Sequence, residues 1–121
     1  VTAMLKNEEI QHKIDYEIIV DCYDEYEVSM GWYYYMEETL KFPFKAKAKL
    51  KKADGSVKLT EIQVTGLAAD EEGFIGNDFD LEILIGEHFS NIHYSQLSQI
   101  KDDDETLEAL AVWEYWNRKQ R

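Results

Sequence analysis

The amino-acid sequence predicts an α+β protein: an N-terminal helical segment, a four-stranded antiparallel sheet or SH3-like barrel, and a C-terminal helix. Three observations lead there. Apolar residues recur at i+4 spacing through the first third of the chain. Strict alternation of apolar residues and lysines follows Pro43. A second amphipathic stretch closes the sequence. A chain of 121 residues suits one domain, 1–121, with one modest core, and no repeat or linker interrupts it.

Residues 7–40 read as helix. Ile10, Ile14, Ile18, Cys22, Tyr26 and Met30 form the stripe, widened by Ile19, Tyr23, Tyr33 and Tyr34. Asn7 is a candidate N-cap. Asp15 could cap a second piece and Gly31 marks a break or bend, so the segment is one bent helix or two helices. Pro43 ends it, because a residue before proline is pushed toward extended geometry.

The centre is β. Phe44, Ala46, Ala48 and Leu50 alternate with Lys45, Lys47, Lys49 and Lys51, a period of two with one buried face. The lysine stripe reads as protection of an edge strand and a counterweight to the acidic clusters. Asp54-Gly55 is a turn signal, and Val57–Leu67 is the second strand, with an irregularity expected near Glu61. An acidic loop spans 68–78. Phe79–Ile85 and Ser90–Tyr94 are the third and fourth strands, and Ser95–Ile100 reads as a short helical turn. Residues 104–118 form the last helix, with Leu107, Leu110, Ala111, Trp113, Tyr115 and Trp116 on its apolar side. Its basic tail, Arg118-Lys119-Gln120-Arg121, suits the negative end of the helix dipole.

Charge narrows the function. Thirteen Lys and Arg against 25 Asp and Glu leave a formal net charge of −12. Such a surface repels nucleic-acid phosphates and anionic membranes and attracts divalent cations and basic proteins. Cys22 is the single cysteine, so neither an internal disulfide nor a thiolate zinc site can form. No apolar run approaches the roughly 20 residues of a membrane helix, and no signal peptide is visible, so the expected compartment is the cytoplasm. The three histidines lack metal-binding spacing, and no nucleotide or nucleophile motif exists; an enzyme is not expected.

The carboxylates are clustered. On a continuous helix Glu17, Asp21, Asp24 and Glu25 share one face, where like charges at i,i+4 repel. Glu37 and Glu38 sit at a helix C-terminus, which already carries negative partial charge. A bound cation would offset both penalties; for Glu17 and Glu27 a solvated face with lysine neighbours is favoured instead. Asp102-Asp103-Asp104-Glu105 is denser than capping requires. Either Asp103 or Asp104 is the N-cap, and the remainder are solvent-exposed or ligands for a hard cation such as Ca²⁺, which takes six to eight oxygens in irregular geometry. The cluster of Asp70-Glu71-Glu72 with Asn77, Asp78, Asp80 and Glu82 lacks the glycine an EF-hand loop needs and reads as a solvated loop first and a weak ion site second.

Several stretches also resemble a family. Ile18-Ile-Val-Asp-Cys-Tyr-Asp-Glu-Tyr-Glu27, Gly31-Trp-Tyr-Tyr-Tyr-Met-Glu-Glu-Thr-Leu40, Phe42-Pro-Phe44, Asp102-Asp-Asp-Glu-Thr106 and Trp113-Glu-Tyr-Trp116 are similar to the small acidic calcium-binding proteins first known from cyanobacteria. The resemblance spans residues 10–46 and 95–117. It implies an α+β, non-EF-hand Ca²⁺ binder with more than one site, acting as buffer or sensor, and it points most strongly to Glu37, Glu38, Asp102, Asp103 and Asp104. The acidic pair of that family is commonly Asp-Asp; here it is Glu37-Glu38. The full candidate set adds Asp21, Asp24 and Glu25. The expected partners are calcium ions bound to a monomer. The alternative is an acidic module, or nucleic-acid mimic, that docks a basic protein partner without a metal.

Overall fold

The computed structural model describes residues 7–120. Helix α1 (Asn7–Lys13) runs into a single π turn, Ile14–Ile18, closed by the Ile19 amide donating to the Ile14 carbonyl at 2.9 Å. After a break come α2 (Glu25–Thr39), strands β1 (Phe44–Lys51), β2 (Val57–Leu67), β3 (Asp80–Ile85) and β4 (His88–His93), a 3₁₀ turn (Tyr94–Gln96), β5 (Leu97–Lys101) and α3 (Asp104–Gln120). Arg121 of the basic tail lies outside the described residues.

The N-terminal segment is two helical pieces, but neither Gly31 nor Asp15 divides them. The break falls at Ile19–Asp24. There Asp21 adopts φ 59°, in the left-handed region, and Asp24 caps α2 by accepting the Glu27 amide at 2.8 Å. Gly31 lies inside α2, against the end of the π turn. A Cβ at Gly31 would stand 2.4 Å from the Ile18 carbonyl oxygen, so only glycine lets the two segments approach this closely.

All strand pairs are antiparallel, in the order β4-β3-β2-β1-β5. The expectation of four strands or an SH3-like barrel is therefore corrected: the described residues form five strands, and the sheet is open, with β4 and β5 at opposite edges. The fifth strand occupies most of the stretch read as a helical turn. Its alternation is masked by a bulge opposite Lys45–Lys47, where Gln99 takes φ 49°. The irregularity in β2 falls between Val64 and Gly66 rather than at Glu61. The lysine stripe does not guard an edge, since β1 lies between β2 and β5.

One sheet face, carrying Phe44, Ala46, Ala48, Ile62, Val64, Leu81, Ile83 and Ile92, is buried with the helices in one cluster. Its aromatic centre is Trp32 of α2 and Trp113 of α3, edge to face at 5.0 Å, with Phe74 and Phe79 packed on Trp113. Two buried hydroxyls tie loops to this core. Ser29 donates to the Glu71 carbonyl at 2.7 Å and accepts the Phe74 amide at 2.9 Å, fixing the 68–79 segment to α2. Thr106 accepts the Lys41 amide at 3.0 Å, holding the end of α2 beside the start of α3.

Candidate metal site

The break between the helical pieces creates a concavity. It lies between the π turn with its following loop and one side of α2, with a volume of about 420 Å³. Four carboxylates are on its walls: Glu17 from the π turn, Asp21 from the loop, and Glu27 and Glu38 from α2. Asp21 and Glu38 belong to the set expected from sequence. Glu17 and Glu27 were assigned to a solvated face. The pairing of Glu17 with Lys13 at 3.6 Å fits that assignment, yet both residues line the same hollow as Asp21 and Glu38.

The electrostatics of the hollow are legible at Cys22, which shares it. Burial first, then the charges of Glu27, Asp21 and Asp24, push the Cys22 thiol above its ordinary value. Its Sγ donates to the Glu27 carbonyl at 3.2 Å. The carboxylates on these walls attract a cation and disfavour a thiolate.

The other candidates go elsewhere. Glu37 and Glu38 are adjacent in sequence, so a helix turns them about 100° apart. Glu38 faces the hollow together with Tyr34, which donates to Glu71 at 2.9 Å, whereas Glu37 is not on its walls and accepts from the Tyr33 hydroxyl. The hydrogen bond to Glu37, more than burial, pushes the Tyr33 phenol up. Asp24 is engaged as the α2 cap, and Glu25 is exposed in the first turn. The one-face arrangement of Glu17, Asp21, Asp24 and Glu25 does not form, because the helix carrying it is broken.

At the start of α3, Asp103 uses both oxygens. Oδ1 accepts the Thr106 amide at 2.9 Å, and Oδ2 pairs with Lys41 at 3.2 Å. The Thr106 amide, then the Thr106 hydroxyl and Lys41, hold its carboxyl below the usual value despite an opposing contribution from burial. Asp102 is half-buried: Oδ1 accepts the Asp103 amide at 2.7 Å, while Oδ2 is buried without a hydrogen-bond partner among the described residues. Such an oxygen is costly unless a donor or cation reaches it. Asp104 begins the helix and is exposed.

The loop carboxylates Asp78 and Asp80 have structural partners. Asp78 accepts the Ser95 amide at 3.1 Å and its hydroxyl at 2.5 Å, and Asp80 contacts His93 Nδ1 at 2.5 Å.

Among the described residues, no three His, Cys, Asp or Glu side chains converge closely enough to hold one metal ion. The donor set nevertheless fits a hard cation. It is all oxygen, it carries excess negative charge, and it includes a buried carboxylate oxygen lacking a partner.

A fold of this topology with acidic hollows at its helix ends suits a small non-EF-hand cation binder. A family model described as calcium binding, the CcbP family, matches residues 12–117, and the chain belongs to that family. The crystal structure of Anabaena CcbP is similar at 37% identity, covering 96% of this chain and 94% of that one, with a TM-score of 0.78. A calcium binding protein in its calcium-binding form is similar at 35% identity, covering 95% and 94% of the two chains, with a TM-score of 0.75. No curated protein matches the chain.

Proposed function

We propose that this chain binds Ca²⁺ in the concavity between the π turn and α2, with Asp21 and Glu38 as principal ligands and Glu17 and Glu27 completing the set. The observation that carries the reading is the arrangement of four carboxylates around one hollow. Ca²⁺ ligands lie about 2.3–2.6 Å from the ion, so binding draws these side chains inward from their spread positions. Carbonyl oxygens of the break segment and water supply the remaining coordination.

The turn of Asp102 and Asp104 is the second proposed site, anchored on the unpartnered Asp102 Oδ2. Asp103 serves it as the cap that shapes the turn. Asp24, Glu25 and Glu37 add negative potential around the two sites. The molecule acts as a cytoplasmic, non-catalytic, monomeric single domain; among the described residues no helix is long and apolar enough to cross a membrane.

The test is a calorimetric Ca²⁺ titration of chelator-stripped protein at physiological salt with excess Mg²⁺. Saturable binding at defined stoichiometry is expected, because Mg²⁺ requires a tighter octahedron than a flexible hollow provides. A trace without saturable heat overturns the reading.

A further inference from the structure

On one surface of this acidic chain, lysines outnumber carboxylates. The solvent face of the sheet holds a shallow concavity of about 450 Å³, lined by Lys45, Lys47, Lys101, Gln63 and Leu84 among others, with one carboxylate, Glu61, which stands opposite Lys47. Strand register explains its composition. One row of residues crosses all five strands: Phe89, Leu84, Gln63, Lys45 and Lys101. The row is apolar at the β4 end, amide in the middle and cationic at the β5 end. Phe89 is 64% exposed, and among the described residues no element covers it.

Lys47 has Glu61 opposite it across the strands, but Lys45 and Lys101 are not explained by the fold. Edge protection fails, since β1 is an inner strand. Lys45 stands directly opposite Lys101, a like-charge pair that weakens the sheet. Among the described residues, neither lysine, nor Lys47, lies within 4.0 Å of a carboxylate. A ligand with negative charge would relieve that repulsion.

We propose that this face docks an acidic segment of a partner protein, its carboxylates on Lys45, Lys47 and Lys101 and an apolar side chain over Leu84 and Phe89. Charge complementarity selects the sign of the partner. The net charge of −12 selects against a nucleic acid, whose phosphates repel the rest of the molecule at every step. A short peptide concentrates a few carboxylates on the cationic end and leaves the apolar end for a hydrophobic anchor.

Fluorescence anisotropy tests this with a labelled, glutamate-rich peptide ending in leucine, in chelator so that metal binding does not enter. Saturable binding to the native protein is expected. Lys45→Gln, Lys47→Gln and Lys101→Gln together should weaken it about tenfold. Lys52→Gln, Lys58→Gln and Arg118→Gln, which remove the same charge elsewhere, should change it by less than about twofold. Phe89→Ser alone should weaken it about threefold, a loss that a purely ionic surface would not show. Thermal melts confirm that each variant is folded; should the triple variant not fold, Phe89→Ser and the single Lys101→Gln carry the test. Absence of saturable peptide binding, equal losses from the two charge sets, or tighter binding of a labelled single-stranded DNA would each overturn the proposal.

Discussion

Replacing Gly31 by Ala sets two effects of opposite sign against each other. Within a helix, alanine is favoured over glycine by about 1 kcal/mol, so α2 taken alone predicts a gain in stability. The Ile18 carbonyl oxygen opposes it, 2.4 Å from where the new Cβ would sit, about 1 Å inside ordinary contact. That oxygen is backbone at the buried Ile18 end of the π turn and cannot rotate away, so the turn itself must shift. Overpacking of this kind costs about 1–3 kcal/mol. The net expectation is a loss of about 1 kcal/mol, together with displacement of Ile18, which walls the acidic hollow. Urea unfolding should show a lower midpoint at unchanged slope, and calorimetry should show weaker Ca²⁺ binding. Gly76→Ala, where nothing lies within 4 Å of the added atom, is the control and should do neither. A Gly31→Ala protein as stable as the parent, with unchanged Ca²⁺ affinity, would refute the claim that close approach of the π turn shapes the site.

Other outcomes follow from the same geometry. Glu38→Gln and Asp21→Asn should lower Ca²⁺ affinity far more than Glu61→Gln, measured by the same titration; equal effects would indicate diffuse screening. Ser29→Ala strands the Glu71 carbonyl and the Phe74 amide and should cost about 2–3 kcal/mol in chemical denaturation. Asp103 has a depressed carboxyl in the folded protein, so its stabilising contribution is present above its unfolded value of about 4 and is lost as pH falls through the lower folded value. Melting temperatures of the parent and Asp103→Asn should therefore differ at neutral pH and converge in acid; a constant gap would argue against the capping and pairing role.

Much of the fold could be read directly from periodicity. Phe44 to Leu50 alternates without a fault, and the observed strand matches it. Three features escaped for physical reasons. β5 hides behind Gln99, whose left-handed backbone breaks the alternation. Gly31 signals a break in a one-dimensional reading, but its role is set by the Ile18 carbonyl, a contact between segments that no local rule contains. Lysines at every second position suggest an edge strand, whereas strand order is decided by distant pairing. The site was legible only in part. Asp21 stands out in the sequence by like-charge repulsion along a helix, and Glu38 by its place at a helix C-terminus and by the family resemblance, and the hollow contains both. Glu17 and Glu27 join it because the helix breaks between them; the run Ile18-Ile19-Val20 before Asp21, three β-branched residues and a turn former, is the signal that could have found that break.

Trp32 and Trp113 are both fully buried, held 78° apart in plane. Indoles fixed this closely share their electronic transitions, so the far-ultraviolet circular dichroism of the protein contains a paired band from the aromatic core superimposed on the helix signal. Helix content calculated from such a spectrum is distorted, and the distortion reports on tertiary packing. Trp32 directly follows Gly31, which lines the acidic hollow, so the molecule carries an optical gauge beside its proposed cation site without any added label.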